Sequence, residues 1–167
     1  MRALVVYESL WGNTGQVARA IADRLGSTAT VDVVDSDAAP ATVDGYDLVV
    51  VGGPTHAFSM TRPATRAEAV TKHAAPHQPA RGIREWLDQL ERPSTPIAAI
   101  AFDTRVDSPR LPGSAAKAMR HELRSLGFET MVKQETFRVH GYEGPLLDGE
   151  LARAAGWVDA VVSTVAR

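Results

Sequence analysis

A chain of 167 residues, 44% hydrophobic and 23% charged, has the composition of one ordinary globular domain rather than a disordered segment. It has no cysteine, which removes disulfides, thiolate metal sites, iron–sulfur clusters and cysteine nucleophiles, and fits a reducing compartment. With 18 basic and 20 acidic residues, a net charge of −2 and no long basic run, nucleic acid is not an expected partner.

The first apolar run is Ala3-Leu4-Val5-Val6-Tyr7, read as a strand covered on both faces. It is too short for a signal peptide or a membrane span, so a soluble, cytoplasmic protein is expected. From Thr14 to Leu25, the positions Val17, Ala18, Ile21 and Leu25 have helical spacing, and Gly26 is the stop. Val31 to Val34 predicts a second strand. Asp47 to Val51 predicts a third, ending at Gly52-Gly53-Pro54. Between them Ser36–Tyr46 is short for a crossover and is predicted to hold one or two helical turns. The polar stretch 61–78, with Pro63 and Pro76, has room for one short helix. Ile83, Trp86, Leu87 and Leu90 form the clearest amphipathic helix. Pro96 to Phe102 is a fourth strand, and Ala115, Met119, Leu123 and Leu126 stripe a helix closed by Gly127. Phe128 to Val139 carries a last strand and its extension. Leu151, Ala154, Ala155, Val158, Val162 and Val165 stripe the final helix.

Strands alternating with helices imply parallel pairing, because each crossover returns the chain to the same end of the sheet. With no repeat and no linker, residues 1–167 read as a single α/β domain. Ligands in such sheets bind outside the carboxyl ends of the strands, where the strand order reverses. That rim holds the loops Glu8–Thr14, Gly53–Arg62 and Asp103–Gly113. The first, Glu8-Ser9-Leu10-Trp11-Gly12-Asn13-Thr14, offers hydroxyls, a carboxamide and a glycine that lets backbone approach closely, and it runs into a helix N-terminus that favours an anion. It holds no lysine or arginine, and it is neither G-x-x-x-x-G-K-[ST] nor G-x-G-x-x-G. The same residues are also ordinary helix caps, so the residues alone leave both readings open.

The stretch Y-E-S-L-W-G-N-T-G-Q-V-A resembles the phosphate loop of the flavodoxin family, [TS]-x-x-G-x-T, through Ser9, Gly12 and Thr14. V-V-V-G-G-P-T-H-A-F-S-M at 49–60 resembles the family's second flavin loop, and A-F-D-T-R at 101–105 falls where the third begins. The element order matches over essentially the whole chain and is nearer the short-chain type. The resemblance implies a flavodoxin-like doubly wound five-stranded parallel sheet, order 2-1-3-4-5, with helices on both faces. It implies a flavoprotein that binds FMN. Ser9, Gly12, Asn13 and Thr14 would hold the phosphate, with backbone N–H groups of Leu10 and Trp11. Pro54, Thr55, His56, Ala57 and Phe58 would line the ribityl chain and one side of the ring. Phe102, Asp103, Thr104 and Arg105 would face the pyrimidine edge.

Two departures stand out. The third loop, Val106 to Gly113, contains no aromatic residue, and the family's glycine at the start of that loop is either replaced by Asp103 or out of register. Arg62, Arg66, Arg105, Arg110 and His56 crowd rim loops that are acidic in low-potential flavodoxins, so the resemblance implies a flavin that is less strongly reducing.

His73 and His77 are four apart, but Pro76 lies between them and no third ligand is near, so a solvent loop is expected and no metal. Trp86 and Trp157 fall on core stripes. Trp11 either shields the phosphate or packs over the first helix, and His56 is either a proton donor near the flavin or an ordinary loop histidine. His140 to Pro145 reads as a structural turn. Three functions fit. The first is an electron-transfer carrier that serves redox proteins or a small-molecule acceptor, expected as a monomer. The others are an oxidoreductase of the FMN-dependent NAD(P)H:quinone type and a binding module that has lost the flavin. The carrier is preferred.

Overall fold

Arg2–Tyr7 (β1) and Leu48–Pro54 (β3) are almost unbroken apolar runs because both of their faces are covered. In the computed structural model, which describes residues 1–167, they lie at the centre of a five-stranded parallel sheet ordered β2-β1-β3-β4-β5. The remaining strands are Thr30–Asp35 (β2) at one edge, Ala98–Val106 (β4) beside β3, and Glu135–Val139 (β5) at the other edge. The two edge strands, β2 and β5, are partly exposed and mix polar residues in along their length.

Side chains alternate across the sheet, and each face has its own core. Ala3, Val5, Val50, Ile100 and Phe102 face the helices Asn13–Leu25 (α1) and Glu150–Val165 (α5). Leu4, Val6, Val49, Val51 and Ala101 face Ile83–Gln89 (α3) and Ala115–Ser125 (α4). The parallel α/β sheet is the one the alternation of elements predicts, and its order and two-sided helices are the flavodoxin-like arrangement that the resemblance implies. Pro63–His73 (α2) occupies the stretch with room for one short helix, and its Ala69 closes a small third cluster with Leu10 and Ala75. Ala69 and Ala75 thereby back the loop that follows β1.

Three boundaries depart from expectation. Residues 36–46 form turns and no helix. Their carbonyls are taken by side chains instead: Arg81 donates to Ser36 and Ala39, and the Trp86 indole donates to Pro40 at 2.8 Å. β4 runs four residues past Phe102, and Phe102 together with this extension pairs with β5. The region 128–134 pairs its backbone with β4 only at Glu129, and the last strand proper begins at Glu135. No helix is long and apolar enough to cross a membrane.

Candidate functional site

β1 and β3 are neighbours whose crossovers leave on opposite sides, so a crevice opens above their carboxyl ends. The loop after β1 turns through Gly12 at φ +102° into α1. Ser9 Oγ accepts from the N–H groups of Gly12 (3.1 Å) and Gly15 (3.2 Å), which leaves its own proton free to donate. The N–H groups of Ser9, Leu10, Trp11, Asn13 and Thr14 find no acceptor within the chain, and the first turn of α1 carries no acidic residue. The positive φ of Gly12 calls for glycine by itself, and a Cβ there would meet no atom of the chain within 4 Å.

Beside this loop lies a cleft of about 510 Å³, within the range of small-molecule sites. Its walls include Ser9, Leu10, Trp11, Asn13, Thr14, Pro54, Thr55, His56, Ala57, Phe58, Thr104 and Arg105, twelve of the fifteen residues singled out in the sequence. Its floor is tied together by a hydrogen bond of 2.7 Å between the Thr14 and Thr104 hydroxyls. Gly12, Phe102 and Asp103 do not line it.

The alternation along β4 explains the last two. Phe102 points to the α1/α5 side, fully buried, with its ring over Gly52 and edge-to-face with Phe137 at 6.0 Å. Asp103 points the other way, under the start of α4. Its Oδ2 accepts from the Thr55 hydroxyl (2.8 Å), the Ser114 hydroxyl (2.8 Å) and the Ala116 N–H (3.0 Å). Thr55 Oγ1 in turn accepts from the Ala115 N–H at 2.8 Å. Asp103 thus anchors the second rim loop to α4 and does not face the cleft.

The second loop turns at 56–59 with Ala57 at φ +49° and Phe58 at φ +72°. Two successive non-glycine residues in this region cost on the order of 1–3 kcal/mol each. The turn is held by backbone bonds between His56 and Ser59 and by Gly113, where any Cβ would collide with the Phe58 carbonyl. The second and third loops therefore abut across the cleft mouth.

Two ring-bearing residues of the wall, His73 and Tyr142, are not among those fifteen expected site residues. His73, assigned to a solvent loop, is the last residue of α2, and Tyr142, assigned to a structural turn, stacks on it at 4.1 Å. Trp11 donates its indole N–H to the His73 carbonyl at 3.2 Å and lies 5.8 Å from the Tyr142 ring. Trp11 therefore packs between the first loop and α2 and lines the cleft. The turn carrying Tyr142 is clamped to the first loop: Asn13 Nδ2 donates to the Glu143 carbonyl at 3.1 Å, and Gly144, at φ +94°, leaves no room for a Cβ against Asn13. The sequence signal for Tyr142 was an aromatic between glycines at the carboxyl end of β5. His73 carried none, because its role depends on a helix end meeting a distant loop. His56 sits 6.0 Å from Tyr142 and 6.4 Å from His73. Burial, and then the neighbouring His73, lower its pKa, which favours a neutral imidazole at pH 7.

Beneath the rim is a buried polar network. Glu8 accepts from the Thr61 hydroxyl and from the Ile83 N–H (2.8 Å). Arg66, also buried, donates to Thr61 Oγ1 at 3.0 Å and pairs with Glu85. Gly82 is required here, since a Cβ would collide with both Arg66 and Glu8. The network joins the ends of β1, the second loop and α3. Burial pushes the Glu8 carboxyl above its usual range, against the opposing pull of its hydrogen bonds and of Arg66. A carboxyl raised in the folded state contributes stability below its unfolded pKa and loses it as pH rises through the folded value. Glu8→Gln, which cannot ionise, is therefore expected to gain stability relative to the native chain as pH rises from about 4.5 towards neutrality. Urea unfolding across that range checks this; a native-minus-variant difference that stays flat would contradict it.

Against known proteins, the chain matches the flavodoxin domain family over residues 4–74, from β1 through the first loop to the end of α2. Flavodoxin 1 of Bacillus cereus has the same fold, with a TM-score of 0.70 at 17% identity over 98% of each chain. A flavodoxin of Streptococcus pneumoniae matches with a TM-score of 0.69 at 15% identity, covering 98% of this chain and 99% of that one. An archaeal flavodoxin matches over the full length of both chains, with a TM-score of 0.66 at 17% identity. At these identities the solved structures establish a shared fold.

Proposed function

We propose, for a chain that matches the flavodoxin family in its first 74 residues and shares the flavodoxin fold throughout, that it binds FMN in this cleft and acts as a redox electron carrier. The observation that carries the reading is the set of five unpartnered N–H groups in the segment 9–14 at the start of α1. Backbone donors converging at a helix N-terminus suit a phosphate dianion, and the Ser9 hydroxyl adds a further donor. FMN, when bound, supplies reversible uptake and release of electrons.

This chain's residues would hold and shield it. Pro54 to Phe58 form one wall, and Thr104, Arg105 and Val106 line another part of the cleft with the apolar residues Pro109, Leu111 and Pro112. No aromatic comes from the third loop; Tyr142 and His73 instead close the cleft beside Trp11. Arg105 at the wall places positive charge beside the site, which favours an anionic reduced cofactor and raises its potential above that of acidic carriers. Neutral His56 adds no second positive charge there, and the Glu68 carboxylate on the same wall opposes Arg105 in part.

Mixing the purified protein with FMN is expected to give a yellow complex that is bleached by dithionite and recoloured by an external oxidant. A protein that stays colourless after gel filtration would overturn the reading. Rapid NADH or NADPH oxidation with a quinone would replace the carrier by the NAD(P)H:quinone-type reductase.

A further inference from the structure

Arg105 and Arg138 are directly registered partners on β4 and β5, so their side chains leave the same face of the sheet. Like charges placed opposite one another destabilise a strand pair, and nothing in the fold requires two arginines here. Each guanidinium is held only by a backbone carbonyl: Arg105 by Leu111 at 2.6 Å, Arg138 by Val106 at 3.2 Å. Exposed Arg110 enters from the third loop and pairs with half-buried Asp107 at 3.1 Å. Arg105 and Arg110 press on Arg138 strongly enough to add to burial in lowering its pKa; Asp103 and Asp107 oppose them. Asp103 accepts only from the neutral groups of Thr55, Ser114 and Ala116, so two carboxylates, Asp103 and Asp107, stand against three arginines.

Beside these cations, at the cleft mouth, Leu111 is 54% exposed and Phe58 56% exposed. Gly113 brings their two loops into contact. Arginines around exposed apolar anchors have the composition of an interface centre, here on a chain whose net charge is −2. A two-fold pairing of copies would bring this cationic patch against itself, which disfavours a second copy as the occupant. The exposed anchors are aliphatic and aromatic, and no basic stripe continues from them, which disfavours nucleic acid.

We infer that the rim formed by Arg105, Arg110, Arg138, Leu111 and Phe58 is a docking surface for an acidic face of a partner protein. Its position gives that partner the open side of the cleft. The consequence for electron exit rests on the FMN reading; the docking itself does not.

Two measurements test it. The first is a nuclear magnetic resonance titration of the purified chain with a decaglutamate peptide. Shifts confined to residues 105–113, 138 and 58 are expected, weakened about tenfold by Arg110→Glu or by Arg105→Glu with Arg110→Glu. Arg124→Glu, at the far end of α4, should leave the titration unchanged. No shifts, or shifts centred elsewhere, overturn the proposal. So does tighter binding of a single-stranded oligothymidylate at the same residues, or dimerisation lost in Arg110→Glu.

The second measures reoxidation of the dithionite-reduced FMN complex by ferricyanide, each ferric ion taking one electron to become ferrous. The net charge alone predicts a rate that rises with ionic strength. A local cationic rim predicts one that falls, by roughly threefold from low to physiological salt. A rising rate would overturn the exit at this rim. If the chain binds no FMN, the peptide titration alone decides, so failure of the cofactor reading and failure of the docking surface are separable.

Discussion

Arg66→Ala is expected to lower the unfolding free energy by about 3–5 kcal/mol at neutral pH, the range for removing one member of a buried ion pair. Arg66 is only 1% exposed, and its guanidinium reaches both Glu85 and the Thr61 hydroxyl. Truncation leaves Glu85 half-sheltered without its cation and Glu8 buried without the one positive charge near it. It also opens a void between α2 and α3, since the arginine stem fills core space. Arg66→Lys keeps the charge but not the forked donor set and should fall between. Denaturant unfolding with an unchanged slope is the check. A loss below about 1 kcal/mol, the range of a surface pair, would mean that this network does not hold the rim together.

The second large effect is on the ligand. Ser9→Asp is expected to weaken FMN binding by at least roughly 100-fold while barely changing riboflavin binding. The substitution keeps an acceptor for the Gly12 and Gly15 N–H groups, so the turn and the start of α1 should survive. It puts a carboxylate among the donors meant for the phosphate. Two like charges about 4 Å apart at an effective dielectric near 20 repel by about 4 kcal/mol, which is more than the 100-fold loss requires. Calorimetric titration with both ligands reads the difference directly. Equal losses for FMN and riboflavin would indicate a damaged cleft rather than a phosphate site.

How much of this could be seen in the sequence follows from the range of the interactions involved. β1, β3 and α1 announced themselves because continuous apolar runs and 3.6-residue spacing are local patterns. The rim loops were legible for the same reason, lying where each strand pattern stops. The turns at 36–46 were not, because Arg81 and Trp86 supply their hydrogen bonds from 40 or more residues away. Phe102 and Asp103 were assigned to the cleft because their strand was expected to end at Phe102. Its extension to Val106 puts both residues inside the regular alternation, one buried on each side. Tyr142 and His73 enter the wall through a contact between segments some 70 residues apart, which no spacing rule reports. Glu8 was visible as a residue of the first loop. Its burial with Thr61 and Arg66 was not, because it depends on how the second loop and α3 close over it.

The proposed phosphate site is formed by the unpartnered N–H groups of the segment 9–14. The most direct test titrates the native protein with FMN and, separately, with riboflavin, which differs only in lacking the phosphate. Several charge-assisted hydrogen bonds, at about 1.5–3 kcal/mol each, predict FMN affinity at least roughly 100-fold above that of riboflavin. Equal affinity for the two, or no binding of either, would contradict the account.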